Sequence, residues 1–256
     1  MTRRPPDPRQ VPLRRFVSPE SLRWARRHRA YTPYYLVRYW RFLRLRLRHP
    51  QVVTEGFVFL GRDVEITARR GYGRVVLGRW VHLGDRCSLR AHEGTLRIGA
   101  KTVLGREDTL NCYLDLEVGP RCIVADWVYM GDFDHRFDDL HVPIKDQGIV
   151  KTPVRVGADV WVGVKASVLR GAQVGDGCVL AAHTVVRGEV PAGSVVAGVP
   201  GRVVRDRAAA WAAAAEHRAA LADAVEGTGA HPGPAVDGAL ASHLDARLLV
   251  VAHSRA

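Results

Sequence analysis

The chain has 256 residues, 25% of them charged, and carries a formal charge of +12. Fourteen arginines against Asp7 and Glu20 fall within residues 1–50, so the remaining 206 residues, with 24 basic and 24 acidic side chains, are neutral. That distribution argues against a uniformly basic nucleic-acid-binding body. No stretch is apolar and long enough to cross a bilayer. No secretory signal is read, so a cytoplasmic location is expected, with contact at the membrane periphery left open.

Residues 1–15 are rich in Pro and Arg and are predicted to be a disordered basic tail. Basic amphipathic helices are predicted over 16–50. Ser18 is a candidate N-cap with Pro19 at the first position, and the helix should run to about His28. Thr32-Pro33 breaks it. A second helix over 34–48 carries a stripe of Leu36, Tyr39, Trp40, Leu43 and Leu47, with Arg38, Arg41, Arg44 and Arg48 mostly elsewhere. The stripe is expected to cap the open end of the following domain. Contact with an anionic membrane surface is the second role for residues 34–48, and no nucleic acid is expected.

Residues 51–202 are organised by a period of six. From Val156 to Val190 six consecutive units open on Val156, Val162, Val168, Val174, Leu180 and Val186, with small or β-branched residues at the fifth position. This period fits neither a helix nor a flat strand. It fits a parallel β-helix in which each unit makes one side of a triangular coil. The phase continues upstream through Leu83-Gly84, Ile98-Gly99 and Val118-Gly119, broken near 89–97 and 110–117 and above all over 132–155. Insertions into a solenoid loop out at its corners, often onto the binding face. Cys87, Cys122 and Cys178 occupy the inward fifth position, whereas Cys112 falls out of phase and is expected near the surface. Residues 191–202 are expected to leave the prism as an extended segment. A helix follows over 203–226, then a mobile tail over 227–256.

The insertion concentrates the chemistry: Asp132, Asp134, His135, Asp138, Asp139 and His141 lie within ten residues. A histidine oriented by a carboxylate is suited to removing a hydroxyl proton near neutral pH. A metal site would draw on the same side chains, but no second cluster completes it, and none is assigned. Cys112 is the candidate for a covalent acyl-enzyme.

The runs Val160-Trp161-Val162-Gly163, Val174-Gly175-Asp176-Gly177-Cys178-Val179 and Val196-Ala197-Gly198-Val199-Pro200-Gly201-Arg202 resemble the left-handed β-helix acyltransferases of the hexapeptide-repeat family. The likeness is strong over 118–205, fair over 60–117 and absent from both terminal arms. It implies a mainly β fold, a left-handed parallel β-helix, with N-terminal helices and a C-terminal helix added here. It also implies a homotrimer with sites between neighbouring prisms, an acyl-CoA donor and a carbohydrate acceptor.

Transferred residue by residue, the resemblance makes His135 the general base, with Asp134 or Asp132 as its partner. Trp161, Gly163, Lys165, Ala181, Ala182, Arg187 and Arg202 become the coenzyme A side, with the amides of Ala181 and Ala182 open to a pantetheine arm. Relatives often carry a histidine where this chain has Asp132 and Phe133. If that earlier position holds the base, the role passes to a carboxylate or His141. His82 and His92 are expected at the surface or in trimer contacts. The phrase Asp132-Phe133-Asp134-His135-Arg136-Phe137-Asp138-Asp139 with Pro143-Ile144-Lys145-Asp146-Gln147-Gly148 is similar to actinobacterial octanoyltransferases acting on glucosylglycerate-type precursors of methylglucose lipopolysaccharide. The competing readings are a non-catalytic trimeric scaffold and a membrane-surface binding protein.

Overall fold

The computed structural model describes residues 19–216. The expectations for 1–15 and 227–256, and for a helix beyond 216, lie outside the described residues. The rest is a mainly β, left-handed parallel β-helix whose strands form the three faces of a prism. Seven strands stack on the first face, seven parallel strands on the second and six on the third. The solenoid thus has six full coils and stops two faces into a seventh. Stacking is in register: Val75 lies on Leu96, Leu96 on Leu116, and Leu116 on Val154 across the long insertion.

The hexad pattern is met in the core. The opening aliphatics from Val156 to Val186 are at most 4% exposed, and fifth-position Val160, Ala166, Ala172, Cys178 and Thr184 are buried with them. Cys112 corrects the expectation of a surface thiol, because it is fully buried. Its strand, Thr109–Cys112, alternates outward and inward so that Leu110 and Cys112 share the interior.

Two corners of the prism are regular. At the first, Trp80, Lys101, Arg121 and Asp159 adopt left-handed φ of 57° to 64°, and at the second Arg86, Glu107, Trp127, Lys165 and His183 adopt 57° to 60°. Non-glycine residues occupy this region only when the surroundings enforce it. Here their N–H groups donate to carbonyls of the neighbouring coil, Glu107 to Asp85, Trp127 to Arg106 and Lys165 to Asp126, at 2.9 to 3.0 Å. Aspartates add staples between coils: the carboxylates of Asp85, Asp126 and Asp176 accept the N–H of Arg62, Arg106 and Ala158. All length variation is confined to the third corner.

One interior position departs from this economy. Asp108 is fully buried among the fifth-position side chains. One carboxylate oxygen accepts the Val128 N–H at 2.8 Å, and the other has no partner. Burial pushes its carboxyl up to about 8.

Helices α1 (Pro19–Arg27) and α2 (Pro33–Arg48) precede the first coil. Helix α2 docks as expected, but on a face that keeps Tyr39 of the expected stripe and leaves out Leu36, Trp40 and Leu47. Phe42 and Leu45 are buried, with Tyr35 and Tyr39 beside them on the same side. Tyr39 and Phe42 each meet Phe57 at 4.8 Å, and Tyr35 meets Phe59 at 5.9 Å. Such pairs are worth about 0.5–1.5 kcal/mol each beyond area burial. His82, expected at the surface or in trimer contacts, is half-buried and joins this cluster, 4.2 Å from the Phe59 ring. Burial, with Arg38 nearby, pushes its imidazole down to about 4. Leu36, Trp40 and Leu47 face away from the solenoid.

The C-terminal segment does not simply leave the prism. Ser194–Ala197 is the last strand of the second face, and Arg202–Asp206 folds back antiparallel against it. The helix begins at 207, where Asp206 caps it by accepting the N–H groups of Ala208 and Ala209.

Candidate active site

The third corner carries the insertion as an antiparallel hairpin, Phe133–His135 against Ile149–Lys151, with a short 3-10 turn at Ile144–Asp146 between them. The intervening loop is organised by Gln147. Its amide donates to the carbonyls of Asp139 and Val142 at 2.7 Å and accepts the Asp139 N–H at 3.1 Å.

Three acidic or basic candidates fall at the root of this hairpin and part company. Asp132 is fully buried. Its two oxygens accept the N–H groups of Tyr113, Leu114 and Asp115 at 2.7 to 2.8 Å, and the Cys112 thiol donates at 3.4 Å. It folds the turn of the preceding coil. Asp134 points to the other side of the hairpin from His135, as strand alternation demands. One Asp134 oxygen takes Arg170 Nε at 2.9 Å and an Arg187 guanidinium nitrogen at 3.0 Å. The expected pairing of His135 with either aspartate is therefore absent within the chain.

His135 is exposed, its ring edge-on to Phe133 at 6.2 Å. Phe133 continues a column of rings that climbs the corner. His92 stacks on Tyr113 at 4.5 Å and Tyr113 meets Phe133 at 4.4 Å. Lys151, ion-paired with Glu93, lies 5.6 Å from the Tyr113 ring. His92 and Tyr113 follow the inward residues that end third-face strands, Ala91 and Cys112, and Phe133 follows Asp132, the buried residue just past the strand Tyr129–Gly131. Writing the coils in register would have revealed the column, but the broken hexad phase concealed it. Arg170 and Gln147 had no sequence signal.

The Cys112 thiol is pushed up to about 12 by burial and by Asp132 beside it. Fully buried and donating to Asp132, it lies out of reach of an acyl donor, which argues against an acyl-accepting nucleophile. No group of three or more His, Cys, Asp and Glu side chains is gathered for a metal ion among the described residues.

The donor-side candidates divide between edges. Trp161 lies on the second face, 40% exposed, stacked in register with Ile123 and Val179. Gly163, Lys165, Ala181 and Ala182 follow at the second corner. A Cβ on Gly163 would lie 2.6 Å from the Ala182 nitrogen, so glycine is what lets these coils close up. The Ala181 N–H is not open, because it donates to Val196. Arg187 belongs to the third corner, held by Asp134. Arg202 is exposed at the start of the returning strand and donates to the Gly201 carbonyl.

This fold and these edges define a hexapeptide-repeat acyltransferase, and the chain belongs to that family. Residues 153–188 match the family model "Bacterial transferase hexapeptide (six repeats)". Over 219 residues the chain is 54% identical to "Probable acetyltransferase Rv3034c" of Mycobacterium tuberculosis, spanning 86% of this chain and 72% of that protein. A shorter likeness, 30% over 95 residues, covers 34% of this chain and 48% of the putative lipopolysaccharide biosynthesis O-acetyl transferase WbbJ of Escherichia coli. The fold is shared with AntD, an N-acyltransferase from Bacillus cereus. Its structure in complex with dTDP and 3-hydroxybutyryl-CoA superposes with TM-score 0.52 at 17% identity, covering 61% of this chain and 82% of that one.

Proposed function

We propose that this protein is an O-acyltransferase that moves an acyl group from acyl-CoA to a sugar or glycoside hydroxyl, with His135 as general base. The observation that carries this is the exposed His135 imidazole on the irregular edge, with Trp161, Gly163 and Lys165 on a regular edge. A thioester donor is long and thin and suits the regular edge. An acceptor is compact and suits the hairpin. The two edges are different corners of one prism, so a site uniting them forms between neighbouring subunits, as a homotrimer allows.

His135 removes the acceptor's hydroxyl proton as its oxygen attacks the thioester carbon. The tetrahedral intermediate then expels coenzyme A, whose sulfur takes the proton back from the imidazolium. Asp134 acts here as an anchor for Arg170 and Arg187, fixing the hairpin that presents His135. Asp132 serves the same end from beneath. Ala182, Arg187 and Arg202 remain donor-side candidates, since guanidinium groups are chemically suited to nucleotide phosphates. The motif over Asp132–Asp139 favours a medium-chain donor such as octanoyl-CoA and a glucosylglycerate-type acceptor. A cytoplasmic homotrimer drawing on acyl-CoA fits this reading.

Release of coenzyme A thiol across donors of graded chain length and a set of glycosides tests the reaction. Mixing tests the shared site. His135→Ala subunits and Gly163→Val subunits, each inactive alone, should regain activity when unfolded and refolded together. Failure of co-refolded mixtures, with trimers formed, would place both edges of a site on one chain. Absence of thiol release with every acceptor would leave a non-catalytic scaffold.

A further inference from the structure

Helix α2 presents two apolar faces, and among the described residues only one is covered. On the outward face Leu36 is 55% exposed, Trp40 63% and Leu47 71%, in one row along the helix. Arg44 and Arg48 flank this row. Both are exposed, and neither has a side-chain partner among the described residues. The other α2 arginines are engaged. Arg41 donates to the Leu60 carbonyl, Arg46 to the Thr54 hydroxyl, and Arg38 lies 3.9 Å over the Tyr34 ring. Helix α1 exposes Leu22 together with Arg23, Arg26 and Arg27.

Between the end of α2 and the first coil lies a cleft of about 500 Å³. Arg41, Arg44, Arg48, His49 and Arg62 line it over a floor that includes Leu45 and Leu60, and Asp63 is the one carboxylate in its wall. Arg62 is itself paired with Asp85. The cleft therefore holds an excess of positive charge at the margin of an apolar row.

From this juxtaposition we infer that the outward face of α2 seats on an anionic phospholipid surface, with a headgroup phosphate in the cleft between Arg44 and Arg48. Charge complementarity selects the occupant. Residues 1–50 hold 14 arginines and two carboxylates, so a second copy of this face would repel the first. A nucleic acid would meet the arginines but leave Leu36, Trp40 and Leu47 wet. A bilayer interface satisfies both, burying the apolar row at the acyl boundary while phosphates meet the guanidinium groups. No step of acyl transfer is required for this seat to form.

Flotation of the full-length protein with phosphatidylcholine vesicles, with and without phosphatidylglycerol, tests the inference. Binding is expected only with the anionic lipid, and it should fall as salt rises. Arg44→Gln combined with Arg48→Gln should weaken it roughly tenfold or more, from about 1 kcal/mol per arginine near the surface. Trp40→Ser and, independently, Leu47→Ser should weaken it without moving the melting temperature, because both side chains are already in water. Equal binding to both vesicle types, or unchanged binding in all these variants, overturns the inference. So does saturation by inorganic phosphate with no vesicle binding, which would assign the cleft to a soluble phosphate ester. Self-association abolished by Trp40→Ser, or equal retention on duplex DNA, with no flotation, would assign the face to a second copy or to nucleic acid.

Discussion

The second and third corners of the prism solve opposite problems with the same backbone. At the second corner each coil from the second to the sixth repeats one turn, with a left-handed residue whose N–H is held by the neighbouring coil. Its surface is a straight track. At the third corner each coil turns differently, and side chains replace repetition: Asp132 gathers three N–H groups, Asp134 two guanidinium groups and Gln147 the loop. A regular edge suits a ligand recognised along its length, and an irregular edge suits one recognised at a point.

The sharpest break in that comparison is chemical. His135→Ala should lower turnover by about 100- to 10,000-fold, the usual worth of a general base, while leaving coenzyme A binding intact. Thiol release and calorimetric titration of coenzyme A would separate the two, and a loss below tenfold would remove His135 from the role. The next break is structural. Asp132→Ala takes the acceptor from three part-buried N–H groups, at up to about 1–3 kcal/mol each, so the hairpin corner should open early in a thermal melt. Asp132→Asn keeps one acceptor and should be milder, read as a smaller drop in melting temperature.

Gly163→Ala challenges the regular edge. The added Cβ meets backbone that cannot swing aside, and overpacking of about 1–3 kcal/mol is expected with a loss of donor affinity. A pH-dependent effect concerns the interior that both corners share. Asp108 has a folded carboxyl near 8 against an ordinary value of 3.8. Its contribution to stability is therefore greatest below about 4 and is lost as pH rises towards 8. Asp108→Asn keeps the acceptor for Val128 and cannot ionise, so its melting temperature should exceed the parent's at pH 8 and converge with it in acid. His82 runs the other way. With its imidazole lowered to about 4 from 6.5, its contribution is complete above 6.5 and falls away as pH drops towards 4. His82→Gln should flatten that acid limb in a thermal melt.

What was legible in the sequence follows the same division. Hexads repeat a physical rule, so the coils from Val156 to Val190 and even the inward cysteines could be read directly. Cys112 was misplaced because the insertions break the hexad phase, although the alternation of its own strand still points it inward. For helix α2 the expected docking stripe was right at Tyr39 and wrong at Leu36, Trp40 and Leu47, because apolar residues occupy both sides. Only the rings of Phe57 and Phe59, distant in sequence, decide for Tyr35, Tyr39 and Phe42. The carboxylate partner for His135 failed on a simpler count: neighbours along a strand face opposite ways. The returning strand Arg202–Asp206 left no pattern of its own, since its residues are all exposed.

Confining every change of length to one corner has a consequence for how such a molecule can be altered. Val154 stacks on Leu116 as faithfully as Leu96 does on its neighbours, although a whole hairpin intervenes. The coil above does not register how long the detour below it was. A segment grafted between Asp132, which the turn of the preceding coil requires, and Val154 need only begin and end at the same two points to leave the remaining coils in place. The hairpin is thus a replaceable head on an indifferent stem, and recognition can change there without the stem having to be rebuilt.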